Sequence, residues 1–356
     1  MVASKLAKLT VWYTVRYNDD MFQSMLQTAW WAKFKEGGGW KSKKYGPLYG
    51  LTRQLPFGRS ILYFPEIPLD LEHGIPFNEQ AIYISRSDDE RVPTGRIFTR
   101  FEFLEFWSPE YANKLLHAGL VKAFEDVQPE YRQWVLLDKS EEELLKDMKP
   151  KGRYNINVAH KHDLKIEWGI SDASIQTLFD LYDQTAKRAD FQGRDLPYFQ
   201  RLAKTLEENS AGDIIIVSKN NEPLSALLLS FYGGVCSYLY GGSGGDRSLM
   251  APYLAHWEAM KRAKHDGCAI YDLLAIAPFQ QTAISNQLSA DTEKPRAESR
   301  ELKASDSSHP HSGLTRFKTQ FGGQSVRLLG SWDLVHSRFW YTMYRFVERR
   351  RRKTTS

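Results

Sequence analysis

Apolar and polar positions alternate along this chain in patterns that predict most of its elements. Residues 9–15 read as a first strand. Residues 21–35 read as a helix, with Met21, Met25, Ala29 and Ala32 on one face and Gly37-Gly38-Gly39 as its stop. Residues 40–49 form a basic aromatic strand with Lys41, Lys43 and Lys44, and residues 62–64 a short strand. A helix is expected over 78–86. Residues 95–106 alternate through Ile97, Thr99, Phe101 and Phe103, which predicts a strand. Ser140 with Glu143 is a capping box, and its helix ends near Pro150.

Further along, helices are expected over 153–162, 174–188 and 196–208, with Ile175, Leu178, Phe179 and Tyr182 forming the apolar face of the second. A meander follows over 213–218, 224–232 and 235–240, with turns at 219–223 and at Gly233-Gly234. A Gly-rich turn leads into a helix over 252–266, with Pro252 near its start, Gly267 past its end and Tyr253, Leu254, Trp257 and Met260 as its stripe. Residues 269–276 return as a strand. Leu334, Val335, Phe339, Met343, Tyr344 and Val347 place a C-terminal helix within 331–356, followed by a basic tail over 349–353. Residues 277–308 hold almost no large apolar side chains and read as a disordered insertion, either a lid or a loop without a role.

A length of 356 residues suits two domains, and the boundary falls at 148/149. There is no apolar run of the roughly 18 residues a membrane-spanning helix needs. The cysteines, Cys236 and Cys268, have no metal or redox spacing, so a reduced, cytoplasmic protein is expected. His309 and His311 lack further ligands at metal spacing, so neither a metal nor another cofactor is expected. A net charge of +5 is no nucleic-acid signature by itself. Local basic groups exist: Lys146, Lys149, Lys151, Arg153, Lys161 and Lys165, and again 349–353. Gly241 to Gly245, before a helix, suits phosphate.

The chemistry gathers at Thr315-Arg316-Phe317-Lys318-Thr319-Gln320-Phe321-Gly322-Gly323. A lysine between aromatic walls acts strongly on a developing oxyanion when water is excluded. The same residues also fit a strand edge with a snorkelling lysine and a Gly-Gly turn.

The segment resembles the FKxxFGG signature of the Fem (FemABX) family of nonribosomal peptidyltransferases. Further matches follow in the family's order: Gln27 with Trp31 and Lys35; Arg153 to Ile156; Thr185 with Arg188, Phe191, Arg194 and Tyr198; Tyr238 to Gly241; Met250 to Leu254 with Trp257; and Tyr271-Asp272. The resemblance implies an α/β (α+β) fold of two GNAT-like domains, with mixed sheets flanked by helices. The first is 1–148, completed by the C-terminal helix 331–356, and the second, carrying the signature, is 149–330.

It also implies transfer of an amino acid from aminoacyl-tRNA to the stem-peptide amine of a peptidoglycan precursor. That acceptor is either UDP-MurNAc-pentapeptide or its lipid-linked form. The implied catalytic residues are Lys318, Phe317, Glu102 and Asp272, the two acids as candidate proton acceptors. The implied substrate-binding residues are Lys35, Arg188, Tyr198, Tyr238, Tyr240, Phe321 and Gly322. A monomer is expected, with peripheral membrane contact through Trp340, Tyr341, Phe346 and the basic tail as a possibility. Two other functions remain open: an acyl-CoA-dependent N-acyltransferase on the same fold, and a non-catalytic binder of cell-wall precursor or RNA.

Overall fold

The computed structural model describes residues 24–68, 95–279 and 312–353. The strand expected over 9–15, the helix over 78–86, His309, His311 and most of the 277–308 insertion lie outside them. Ala277 itself is buried and donates its N–H to Thr315 Oγ1 at 2.7 Å. Phe279 packs edge-on to Tyr131.

The strands are β1 (Lys41–Tyr45), β2 (Leu48–Leu55), β3 (Arg59–Ile67), β4 (Arg96–Phe106), β5 (Val121–Lys122), β6 (Tyr131–Leu136), β7 (Lys165–Trp168), β8 (Gly212–Lys219), β9 (Glu222–Tyr232), β10 (Val235–Ser243), β11 (Ile270–Ala275) and β12 (Gln324–Val335). The helices are α1 (Ala29–Glu36), α2 (Pro109–His117), α3 (Glu141–Asp147), α4 (Pro150–Ala159), α5 (Asp172–Ala189), α6 (Leu196–Glu208), α7 (Ala251–His265), α8 (Ser312–Lys318) and α9 (Arg338–Lys353). The mixed α/β architecture is as expected. Apolar runs separated by turn residues made the meander legible, and the α3 capping box closes as its sequence predicts.

One twelve-stranded sheet runs in the order β1-β2-β3-β4-β12-β6-β11-β10-β9-β8-β7, with β5 beside β12. Among the described residues, only β3 with β4 and β10 with β11 are parallel pairs. The boundary expected at 148/149 does not interrupt this sheet. β6 lies between β11 and β12, and β12 pairs first with β6 and then with β4. Residues 331–335, expected in the C-terminal helix, continue β12, because Trp332 and Asp333 are buried against β4 and β5. The helix begins at Arg338. The basic stretch 40–49 is a hairpin rather than one strand, since the chain turns between Tyr45 and Leu48.

Helices cover both faces of the β6–β10 region. α7, α4 and α3 bury Leu254, Trp257, Met260 and Ile156 against Leu227, Leu229, Tyr271 and Leu273 on one face. α1, α5 and α6 bury Trp31, Phe34, Leu178 and Phe199 against Ala226 and Leu228 on the other. β9 is thus apolar on both sides, which explains its continuous Leu-rich run.

Candidate active site

The site lies where two parallel strands part. β10 and β11 are paired only from Val235↔Ile270 to Ser237↔Asp272. A bulge in β10 between Tyr238 and Tyr240 and another in β11 between Asp272 and Ala275 end the regular ladder at one level. Leu274 there has φ 56°, a conformation bulky residues seldom adopt. Asp272 Oδ1 accepts the Leu274 N–H at 2.7 Å and holds the kink.

Just beyond it, the Ala275 carbonyl accepts from Lys318 Nζ at 2.8 Å. Lys318 stands at the end of α8, not on a strand edge, and is 3% exposed. Its ammonium lies 5.6 Å from the centre of the Tyr238 ring. Burial pushes its pKa from 10.5 down to about 7, with Asp272 pulling the other way. Phe317, Phe321, Tyr253 and His256 form a ring cluster around it, with centroids 4.9–5.6 Å apart. His256 was not legible as a site residue. It is buried, its Nδ1 is 2.7 Å from Tyr271 Oη, and burial with Lys318 nearby lowers its pKa to about 3, so it is neutral.

Backbone packing fixes the signature's glycines. Gly323 has φ 72°, and a Cβ there would stand 2.0 Å from the Trp134 carbonyl oxygen. At Gly152 a Cβ would meet the Gln320 carbonyl oxygen at 2.4 Å, so α4 rests directly on the signature. Gly322 accepts from Gln133 Nε2 at 2.6 Å. Phe321 and Gly322 therefore lie beneath the site, whereas Phe317 and Tyr238 form its wall.

Two cavities meet the splayed strands from opposite faces. On the α7 face, one of about 790 Å³ is lined by Tyr238, Tyr253, His256, Phe317 and the Gly241–Ser243 end of β10, with the exposed Lys151, Arg247 and Arg316 at its edge. On the other face, one of about 80 Å³ is lined by Glu66, Arg132, Asp272, Ser237 and Leu239. The β10 bulge separates the two tyrosines. It shifts the side-chain alternation by one, so Tyr238 faces α7 while Tyr240 faces α5 and α6.

Arg132 is the buried centre of the smaller cavity. It pairs with Glu66 and, at 3.1 Å, with Asp272. Burial raises the Asp272 pKa against the pull of Arg132. Glu102 is also buried and raised by burial, but it is enclosed by Tyr63, the Gln128 N–H at 2.7 Å and Ser331 Oγ at 3.1 Å, and lines neither cavity. Glu66 and Arg132 carry no sequence signal. Their strands become neighbours of β11 and β4 only in the folded sheet.

A cationic pole occupies the second face. Lys35 is held down to about pH 8 by burial and by Arg194 and Arg53. Its ammonium lies 5.5 Å from the Trp40 ring centre, and the Arg53 guanidinium 5.7 Å from the same ring. Arg194 lies 5.2 Å from the Tyr198 ring, and the Tyr198 and Tyr240 hydroxyls are 3.1 Å apart. Burial, with Tyr240 alongside, pushes the Tyr198 pKa well up, so it stays a neutral donor. Arg188 stands apart from this group. It donates to the Ser243 carbonyl at 3.1 Å and to Thr185 Oγ1 at 3.3 Å, tying α5 to the end of β10. Among the described residues, no three His, Cys, Asp or Glu are placed to hold a metal ion.

A model of the FemAB family matches residues 114–218 and 210–349. The chain belongs to the FemAB family. A lipid II:glycine glycyltransferase of Staphylococcus haemolyticus is 22% identical over 303 residues, covering 67% of this chain and 65% of that protein. One from Staphylococcus epidermidis is 21% identical over 301 residues, with the same shares. This FemAB chain thus spans about 65% of the length of those relatives. The crystal structure of FemX superposes with a TM-score of 0.72 at 17% identity, covering 90% of this chain and 94% of that one. The C-terminal domain of a putative lysylphosphatidylglycerol synthetase from Agrobacterium fabrum gives 0.50 at 11% identity, covering 88% and 89%. Both likenesses concern the fold.

Proposed function

We propose that this chain is an aminoacyltransferase that moves an amino acid from aminoacyl-tRNA to the stem-peptide amine of a peptidoglycan precursor. The observation that carries the reading is Lys318, buried at the strand splay with one cavity on either face. The glycyltransferase relatives support a cell-wall acceptor. The larger cavity suits the donor: aromatic walls for a terminal nucleoside, and Lys151, Arg247 and Arg316 for phosphates. The cationic pole of Lys35, Arg53 and Arg194 suits the acceptor's diphosphate, with Tyr198 and Tyr240 as hydrogen-bonding walls. Arg194, beside Lys35, joins this pole, while Arg188 is bonded to Ser243 at the end of β10.

In the reaction, the acceptor amine attacks the ester carbonyl and the tRNA hydroxyl leaves. An amine with a pKa of ~10.4 must first lose its proton. Asp272, which lines the smaller cavity and is made more basic by burial, is the nearer of the two acids nominated for this step. The Lys318 ammonium stabilises the tetrahedral oxyanion.

The Gly-rich residues 241–244 at the end of β10 and Arg247 also favour a second reading, in which the donor is an acyl-CoA. Labelled donors decide between them. Transfer of label from charged tRNA to a precursor, abolished by RNase, supports the first reading. Label from acyl-CoA, insensitive to RNase, replaces it with the second. Tight binding of precursor with neither transfer removes both.

A further inference from the structure

We propose that the outer side of α9, with the tip of the β2–β3 hairpin, is a docking surface for an anionic lipid bilayer. α9 has two unlike apolar sides. Tyr341 and Tyr344 pack on Phe98, with ring centroids 5.4 and 5.1 Å away, and Tyr341 Oη donates to Asp333 Oδ2 at 2.7 Å. That side secures the helix to the sheet. Phe339, Met343, Phe346 and Val347 lie at i, i+4, i+7 and i+8 and are 68, 42, 49 and 54% exposed. They form a second stripe that the folded chain leaves in water. Phe57 extends it from another element. It sits at the hairpin tip with φ 61°, is 83% exposed, and its ring lies 6.0 Å from Trp340.

The charge around this patch selects the occupant. α9 carries seven basic residues against one acid, Glu348. Arg338, Arg349 and Arg350 are exposed beside the stripe, and the Arg350 guanidinium lies 4.3 Å from the Phe346 ring centre. Apolar side chains flanked by arginines suit an interface of acyl chains below anionic headgroups. A nucleic acid would use the arginines and the rings but has no use for exposed Met343 and Val347. Among the described residues no helix is long and apolar enough to cross a membrane, so α9 would lie in the interface. The surface also connects to the cationic pole. Trp40, which carries Lys35 and Arg53, belongs to the same apolar cluster as Trp340, Tyr341 and Tyr344.

The test is cosedimentation of the full chain with vesicles that contain no acceptor, so that it is independent of transfer. The protein should bind vesicles of equal parts phosphatidylcholine and phosphatidylglycerol, and bind phosphatidylcholine alone far less. The double variant Phe339→Ser/Phe346→Ser should bind the mixed vesicles at least roughly tenfold more weakly, since two partly inserted rings are lost. Its melting temperature and its transfer to a water-soluble acceptor should match wild type, because both side chains point outward. Equal binding to both vesicle types, or undiminished binding by the double variant, overturns the proposal. So does loss of affinity for a single-stranded RNA oligonucleotide with vesicle binding unchanged, which would make the surface a nucleic-acid site.

Discussion

Replacing Lys318 by Met keeps the shape of the side chain and removes its charge. The ammonium is 3% exposed and its pKa falls from 10.5 to about 7. At about 1.4 kcal/mol per unit, that is roughly 5 kcal/mol by which the fold disfavours the charged form. The unfolded chain keeps this proton up to pH 10.5 and the folded chain releases it near 7, so wild-type stability climbs with pH across that window. Below pH 7 the full penalty is present. Lys318→Met abolishes it but leaves the Ala275 carbonyl without its 2.8 Å donor, a loss of about 1–3 kcal/mol. The variant should therefore be about 2–4 kcal/mol more stable than wild type at pH 6. The advantage should shrink through pH 8 and reverse near pH 10. Urea unfolding at the three pH values, with m checked for constancy, measures this. Single-turnover transfer should fall ~10²–10³-fold in the same protein. A stability difference that is the same at every pH would falsify the picture of a lysine kept near its midpoint by burial.

Lys35→Ala and Arg194→Ala should each raise KM for the precursor about tenfold or more through loss of a charge-assisted contact, whereas Arg188→Ala should leave it within about twofold; initial-rate kinetics with varied precursor distinguish the two arginines. Arg132→Met strands Glu66 and Asp272 in a buried site and should destabilise by about 3–5 kcal/mol near neutrality. Without the cation Asp272 loses the pull that lowers its pKa and holds its proton more strongly, so the loss should be smaller at pH 5 than at pH 8 in denaturant titrations. Gly323→Ala forces a Cβ onto the Trp134 carbonyl at positive φ and should cost at least about 3 kcal/mol, read as a lowered melting temperature, while an exposed control such as Lys161→Ala should not move it.

Periodicity sufficed for α5, α6 and α7, whose apolar residues repeat at 3.6 over long stretches, and apolar runs bounded by turn residues did the same for the β8–β10 meander. It failed for β12, whose Gln324–Val335 run holds Arg327, Gly330, Ser331 and Asp333. The polar side chains are tolerated there because each has a partner: Asp333 pairs with Arg100 at 2.7 Å, Arg327 donates to Glu130 at 2.6 Å and Ser331 donates to Glu102 at 3.1 Å. The signature lysine and its phenylalanines were legible as a motif. The other site residues His256, Glu66, Arg132 and Arg53 were not, since each is brought in by strand pairing or helix packing between distant segments. Tyr238 and Tyr240 looked like one wall in sequence. A single inserted residue sends them to opposite faces of the sheet, and a pattern of letters does not record a bulge.

The position of β12 also constrains how the molecule is made. Gln324 pairs with Trp134, and Asp333 pairs with Arg100, so the middle of the sheet is closed by contacts between segments some two hundred residues apart. Non-local pairing of this kind slows folding, because loop entropy is lost before any contact repays it. Until residues 324–335 arrive, β4 and β6 each present an unpaired edge, a template for association between chains. Lys318 lies a few residues before that strand, so the proposed oxyanion site should be assembled in the same late step, and a separately supplied fragment containing α8 and β12 should restore structure and site together.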